Sequence, residues 1–203
     1  LACGEGFFSR EMQKLGAQVT AMDIAPELIE IAKKQSPRDI IFYTGDAANL
    51  RMLKSGMFDA AIIVLALQNI ELMGKALQEA RRVLKTGGRL LIVLNHPVLR
   101  IPKLSGWGWD EKQGLQYRHI NGYMSEIKIP IEMHPGKDKK EITWSFHRPL
   151  ESYVNTLHDA RFTVENLEEW ISNKKSQPGP KAKAEDRARE EFPLFLTIEA
   201  KAV

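Results

Sequence analysis

Cysteine is almost absent from this chain of 203 residues, which contains Cys3 alone. One thiol excludes an intrachain disulfide framework and a zinc site built from several cysteines. Long apolar runs are also missing: the longest, AAIIVLAL, spans residues 60–67 and is far shorter than the roughly 18 residues of a membrane span. The first residues also lack the charged and then apolar pattern of a secretory signal. We therefore expect a soluble, cytoplasmic protein with no metal site.

Charge of one sign is not concentrated anywhere except in a single loop. The net charge is +3 and the acidic residues nearly match the basic ones in number. Basic residues cluster at 174–183, but such runs are usually solvated, so nucleic acid is not the partner we expect. A hydrophobic content of 43% allows one main domain with a sizeable core.

Helical and strand patterns alternate over the first 95 residues. Pro26 stands at the first helical position, where proline is tolerated, and Gly16 ends the preceding helix. Strands that are apolar on both faces and separated by helices indicate a parallel sheet covered on both sides. The pattern predicts a doubly wound, Rossmann-like α/β domain with helices at 6–16, 26–35 and 71–88 and strands at 18–24, 40–43, 58–67 and 89–95.

The alternation changes after Asn95. Asn121 and Gly122 form a strong two-residue hairpin signal between partly alternating segments, and a further strand pattern follows at 141–147. This predicts a small antiparallel β cap. We therefore divide the chain into a cofactor-binding α/β core (residues 1–100), a cap insertion (101–147) and a completion of the core by a helix and the last two strands (148–203).

The opening LACGEGF places two glycines at the first turn of the α/β pattern. In open α/β sheets, a nucleotide approaches the backbone most closely at this turn, although glycines in turns usually serve only tight packing. Asp23 ends the next strand 19 residues after Gly4, near the spacing of about 20 at which a carboxylate can accept both ribose hydroxyls. The alternative for Asp23 is a favourable charge at a helix N-terminus. A dinucleotide fingerprint would need a third glycine where Ser9 stands, so NAD is disfavoured.

A third landmark is Asp46, which follows the third strand in TGDAANL. Together the segments LACGEG, MDIAPELIEIAKK, TGDAANL, FDAAIIVLALQNIE and ARRVLKTGGRLLIV resemble, in order and spacing, the motifs of class I S-adenosylmethionine-dependent methyltransferases, with domains of the type 11 or type 25 kind. This resemblance implies S-adenosyl-L-methionine as the cofactor. It also implies that the last strand is antiparallel and is inserted between the fifth strand of the family pattern, at 89–95, and the sixth, at 162–170.

The resemblance assigns roles to residues. The glycine turn, which holds the methionine part of the cofactor, falls on Cys3, Gly4, Glu5 and Gly6. The ribose is assigned to Asp23 with Ile24 against the adenine, and the adenine amine to Asp46 beside Ala47. Backbone carbonyls near Leu65 and Ala66 are implied to face the cofactor's amino group.

Two departures from the family pattern stand out. The family usually has a longer first strand with an acidic residue just before the glycine turn, whereas this chain starts at Leu1. We therefore expect a fragment that lacks most of its first strand, a central strand in the family. Ala25 stands where Ser or Thr would cap the next helix, at a typical cost of about 1 kcal/mol.

Two histidines are candidates for the general base that a hydroxyl acceptor would need. His96 follows the fifth strand of the family pattern and His147 precedes the Arg-Pro pair at 148–149, although a lone histidine is more often a packing residue. The acceptor we expect is a small molecule, methylated at oxygen. The alternatives are an RNA or protein methyltransferase and a catalytically silent cofactor-binding protein.

Overall fold

The computed structural model describes residues 1–132 and 142–203, in which lie five α-helices, one short 3-10 helix at Leu67–Asn69, and ten strands. The helices are α1 (Phe7–Lys14), α2 (Pro26–Gln35), α3 (Met73–Val83), α4 (Leu150–Asp159) and α5 (Ala182–Glu191). The strands are β1 (Thr20–Asp23), β2 (Ile41–Thr44), β3 (Phe58–Val64), β4 (Leu84–Asn95), β5 (Ser105–Asp110), β6 (Leu115–Ile120), β7 (Ile127–Glu132), β8 (Ile142–His147), β9 (Phe162–Trp170) and β10 (Phe195–Ala202). Within these two ranges, no helix has the length and apolarity that crossing a membrane requires.

The main sheet has the order β3-β4-β10-β9. Strands β3 and β4 are parallel, and β10 runs antiparallel to both of its neighbours. Val64 pairs with Val93, and Asn95 pairs with Phe195, so the end of β3, the end of β4 and the start of β10 meet at one edge. The predicted α/β fold is confirmed, and its antiparallel last strand lies between β4 and β9, as the family pattern implies.

The core lies between this sheet and the helices α3 and α4. Alternate residues of the strands point to these helices, which supply apolar side chains at helical spacing. The fully buried members include Ile63, Leu77, Ile92, Leu157 and Ile198. Truncating one of them to Ala would cost about 2–5 kcal/mol, as in other packed cores.

A second, two-stranded parallel sheet pairs β1 with β2. The first three residues lie between the two sheets: the Leu1 amino group donates to the Ile62 carbonyl at 2.8 Å, and the Cys3 N–H donates to the Met22 carbonyl at 2.8 Å. Beside them a cavity of about 400 Å³ runs between β1 and β3 and is lined mainly by apolar side chains. A longer first strand in this position stays a prediction.

The cavity explains why the apolar face of α1 is not buried. Phe7, Phe8 and Met12 line it, and the two phenylalanines are 58% and 44% exposed. Leu15, which the sequence pattern placed on the same face, lies in solvent at 81% exposure. The buried residue of this helix is instead Ser9.

The clearest differences from the predicted element bounds are at the junction of α3 with β4 and at the end of β3. Helix α3 ends at Val83, before the glycine pair, because Leu84 is already extended and pairs with Phe58. A register shift between Phe58 and Ala60 then accommodates the residues up to Gly88. Strand β3 ends at Val64 because Leu65 adopts a φ of 53°, which no strand residue adopts.

The predicted hairpin across Asn121 and Gly122 is wrong. Strand β6 pairs with β5 and strand β7 pairs with β8, so the two segments flanking Asn121 belong to different hairpins. The Asp110 carboxylate sets the first hairpin, since it accepts the N–H groups of Lys112 and Gln113 at 2.9 and 3.0 Å in a turn that a short acidic side chain favours. The connection between β7 and β8 lies outside the described residues.

Candidate functional site

The two glycines of the opening turn differ in what a side chain at each position would contact. Both adopt left-handed backbone conformations, with φ of 55° at Gly4 and 77° at Gly6. A Cβ at Gly6 would lie 3.1 Å from the Ala32 Cβ and 3.2 Å from the Phe42 ring, so this glycine permits α2 and β2 to pack closely against the turn. A Cβ at Gly4 would meet nothing within 4 Å, which leaves open space at this point.

Asp23 fastens the glycine turn to the end of β1. Its carboxylate is 8% exposed, and its two oxygens accept the Gly4 N–H at 2.8 Å and the Ala25 N–H at 3.0 Å. The second of these bonds occurs at the start of α2, where Ala25 offers no side-chain cap. Each carboxylate oxygen retains a further lone pair. The ribose role of Asp23 therefore stays a prediction that this geometry allows.

Asp46 is brought beside Asp23 by the backbone. The Gly45 N–H donates to the Asp23 carbonyl at 2.9 Å, which sets the β2 end next to the β1 end. Asp46 is exposed, with one oxygen accepting the Ala48 N–H at 2.8 Å, and Ala47 is buried. Ile24 is 69% exposed and free to contact a flat ligand. The adenine roles of these residues stay predictions.

Leu65 and Ala66 follow β3 at the same edge. The Leu65 N–H still donates to the Val93 carbonyl at 2.7 Å, while its φ of 53° turns the chain away from the sheet. The Leu65 carbonyl accepts a 2.7 Å hydrogen bond from Gln68 Nε2. Gln68 is buried, and in the described part of the chain its Oε1 has no partner. The sequence analysis did not identify Gln68. The feature that could have indicated it is a polar residue directly after the apolar run at 60–67.

Cys3 and Glu5 complete the turn. The Cys3 thiol lies 3.6 Å from the Gly4 carbonyl, and burial, assisted by the nearby Asp23 charge, raises the pKa of this thiol to about 11. The thiol is therefore protonated at neutral pH and is not a nucleophile. The Glu5 side chain is exposed, and its carbonyl accepts Arg10 Nη1 at 2.7 Å, which ties the turn to α1.

His96 is buried, and both ring nitrogens have protein partners. The Val98 and Leu99 N–H groups lie 3.2 and 3.3 Å from Nδ1, so Nδ1 is the acceptor and carries no hydrogen. Nε2 then carries the hydrogen and donates to Glu169 Oε1 at 2.7 Å. This arrangement stabilises the turn after β4. A general-base role for His96 stays a prediction, and it requires one of these contacts to open.

His147 has one ring nitrogen fixed by the backbone. Nε2 lies 2.7 Å from the Tyr123 carbonyl, which can only accept, so Nε2 carries the hydrogen. In the neutral ring Nδ1 is then the basic nitrogen. His147 ends β8, which packs against the segment after β3, so the two candidate histidines flank the same edge of the sheet. The catalytic role of His147 also stays a prediction.

Arg148 holds the segment that follows β3. Its guanidinium is 8% exposed, and Nη2 donates to the carbonyls of Ile70 and Glu71 at 3.1 and 2.9 Å. The adjacent hairpin makes a second contact here, since Lys128 Nζ lies 3.2 Å from the Glu71 carboxylate. Sequence reasoning did not single out Arg148. The role of Arg148 in holding the segment after β3 is visible only from the packing of β8 against that segment.

Residues 1–92 match a family model described as a methyltransferase domain. These residues, a little under half of the chain, are similar to that methyltransferase family. The match covers β1 to β3, most of β4 and every predicted cofactor residue, and it confirms the family resemblance that the motifs indicated. No group of three or more metal-ligating side chains occurs in the methyltransferase domain or in the rest of the described chain.

Two curated relatives that match this part of the chain are named as methyltransferases. A demethylmenaquinone methyltransferase of Paenarthrobacter aurescens is 40% identical over 100 residues, which are 49% of this chain and 39% of the relative. A ubiquinone biosynthesis O-methyltransferase of Xanthomonas oryzae pv. oryzae is 33% identical over 95 residues, 45% of this chain and 40% of the relative. The matched region thus spans about two fifths of each relative's length.

A solved structure shares the fold over nearly the whole chain. It is an S-adenosylmethionine-dependent methyltransferase from Mesorhizobium loti, with a TM-score of 0.76 and 24% sequence identity, and the alignment covers 98% of this chain and 88% of that one. At this identity the likeness establishes the fold, including the part of the chain beyond residue 92.

Proposed function

We propose that this chain is an S-adenosylmethionine-dependent methyltransferase that transfers the methyl group to an oxygen of a small-molecule acceptor. The observation that carries the proposal is the left-handed turn at Gly4 and Gly6, fastened by the Asp23 carboxylate at the carboxyl edge of the strands. A methyltransferase family model covers this turn.

The residues at this edge fit a single nucleoside. Gly4 leaves open space where a side chain would stand, and both Asp23 oxygens keep a lone pair for ribose hydroxyls. Asp46 and the exposed Ile24 lie beside them, because the hydrogen bond from the Gly45 N–H to the Asp23 carbonyl holds the two chain segments together. A dinucleotide fits less well, because Ser9 is a buried side chain at the position where the pyrophosphate motif requires glycine.

When bound, the cofactor supplies a methyl group activated by its sulfonium. The chain's own residues would bind the nucleoside, align the acceptor and exclude water, and alignment of two reactants can supply roughly 7–11 kcal/mol of a barrier. An acceptor hydroxyl must also lose a proton. His147 Nδ1 is the better placed base, since Nε2 is held by Tyr123, whereas both nitrogens of His96 are engaged.

We also propose that the region 101–147 closes over the acceptor. Its support is the pair of contacts that join this region to the segment after β3, from Lys128 to Glu71 and from His147 through the neighbouring Arg148 to Ile70. A small acceptor is supported by the two relatives whose names refer to demethylmenaquinone and to ubiquinone biosynthesis.

Calorimetry of the full chain tests the proposal. We expect binding of S-adenosylmethionine and of S-adenosylhomocysteine, and no binding of NAD. Binding of NAD without either sulfur compound would overturn the cofactor assignment. A screen with labelled cofactor against pooled metabolites, lipids and RNA then tests the acceptor class: label in RNA, or no transfer despite tight binding, would favour one of the alternatives.

A further inference from the structure

Two arginines, Arg100 and Arg118, stand together beyond the end of β4, and we call them the arginine pair. The Arg100 N–H donates to the His96 carbonyl at 2.8 Å in the turn that follows this strand. Arg118, on β6, donates from Nε to the Leu99 carbonyl at 2.7 Å. The second guanidinium is thus fixed against the residue that precedes Arg100.

Aromatic rings orient both guanidinium groups. The Arg100 Cζ lies 5.1 Å from the centre of the Phe195 ring, and the Arg118 Cζ lies 4.9 Å from that of Trp107. Arg118 Nη2 also donates to Ser105 Oγ at 3.1 Å. Such stacking restricts a planar guanidinium while its remaining N–H groups stay available to an acceptor.

In the described part of the chain, neither member of the arginine pair forms an ion pair with a carboxylate. In residues 1–132 and 142–203, the arginines that form ion pairs are Arg82, Arg89 and Arg189. Burial lowers the pKa of the Arg100 and Arg118 guanidinium groups, and the Arg100 charge lowers that of Arg118 further. Two like charges that are partly desolvated and close together are unfavourable unless an anion binds between them.

The position of the arginine pair connects it to the proposed reaction. Phe195, which supports Arg100, pairs with Asn95, and β4 lies parallel to β3, which ends at Val64 and is followed by Leu65. The arginine pair therefore lies at the carboxyl edge of the sheet, next to the strand that bears the predicted cofactor residues Leu65 and Ala66.

We propose that the arginine pair binds a carboxylate or phosphate group of the methyl acceptor, so that the substrate class is an organic anion. This inference rests on the proposed function, because the acceptor is defined by methyl transfer. The planar forks of two arginines match the oxygens of these groups. The adjacent Phe195 and Trp107 rings offer an apolar surface to the body of an organic anion, which inorganic phosphate cannot use.

The test is ligand-observed NMR titration of the full chain with benzoate, phenyl phosphate, inorganic phosphate and the neutral analogue benzamide. We expect the two organic anions to bind more tightly than inorganic phosphate and benzamide. Arg100→Gln should weaken both organic anions by about tenfold or more, the usual effect of losing a hydrogen bond between charged groups. Arg100→Lys, which keeps the charge but not the fork, should bind them with intermediate affinity.

Arg38→Gln is the matched control, since Arg38 is exposed and precedes β2, at the amino end of a strand of the second sheet. Equal binding of benzoate and benzamide, or equal affinities in the Arg100 and Arg38 variants, would overturn the proposal. Inorganic phosphate that binds as tightly as phenyl phosphate would overturn it too, since the site would then take the free ion. Binding of S-adenosylhomocysteine on the same preparations separates this failure from a failure of the proposed function.

Discussion

Replacing Asp23 by alanine should affect both the stability of the fold and the affinity for the cofactor. The buried carboxylate accepts two backbone N–H groups, from Gly4 at 2.8 Å and from Ala25 at 3.0 Å. Hydrogen bonds to a charged group contribute about 1.5–3 kcal/mol each, and burying the carboxylate offsets part of the two. We expect Asp23→Ala to lower the free energy of unfolding by about 2–4 kcal/mol.

The same substitution should weaken S-adenosylhomocysteine by about tenfold or more, because the ribose would lose its charged acceptor. Urea denaturation measures the first effect and calorimetry the second. Asp39→Ala is a suitable control, since Asp39 is exposed and bonds only the side chain of Gln13 in the described residues. Asp46→Ala should lower the free energy of unfolding by about 1 kcal/mol or less, because the exposed Asp46 carboxylate accepts a single N–H, from Ala48.

The two measurements have separate meanings. A loss of stability with unchanged affinity would show that Asp23 only fastens the glycine turn and does not bind ribose. Identical urea midpoints and affinities for Asp23→Ala and Asp39→Ala would refute the reasoning altogether, since the carboxylate would then contribute neither to the turn nor to the ligand.

Four further outcomes are expected. The Cys3 thiol, with its pKa raised to about 11, should react with iodoacetamide slowly at pH 8 and much faster near pH 11. If the folded chain reacted at pH 8 as fast as the urea-unfolded chain, the burial of this thiol would be contradicted. The hydrogen bond from Arg82 holds the pKa of Glu79 below its usual 4.5. The stability that this pair adds at neutral pH should therefore fall as the pH drops below 4.5. Glu79→Gln should remove this part of the acid dependence, measured by urea denaturation at several pH values. Replacing residues 101–147 by a Gly/Ser linker should abolish methyl transfer but preserve cofactor binding if the core stays folded. His147→Ala should lower turnover more than cofactor affinity, and more than His96→Ala does, because Nδ1 of His147 is the better placed base. Unchanged transfer rates would remove the cap and His147 from the reaction.

The sequence by itself determined the elements of the core and their order. Periodicity located helix 26–35 to the residue because Pro26 favours the first helical position and Ile29 and Ala32 recur on one buried face. Glycine spacing located the turn, since only residues that tolerate a positive φ fit at positions 4 and 6. These signals are local, so a linear pattern contains them.

Pairing partners were not determined locally. The Asn121-Gly122 pair predicted a hairpin between the strands on either side of it. In the structure the Asp110 turn joins β6 to β5, and β7 pairs with β8, which follows it after residues 133–141. Likewise the apolar residues of α1 predicted a buried face, whereas Phe7 and Phe8 line the cavity between β1 and β3. Which surface meets which depends on residues far apart in the chain.

Only the tertiary structure decided the states of the polar groups at the site. That Asp23 accepts the Gly4 N–H, that both nitrogens of His96 are engaged, and that Arg148 holds the segment after β3 follow from distances between distant residues. The uncompensated charges of Arg100 and Arg118 likewise appear only when β6 lies against the end of β4. A sequence supplies the titratable groups, but their partners and burial, which set what each group can bind or accept, arise when the chain folds.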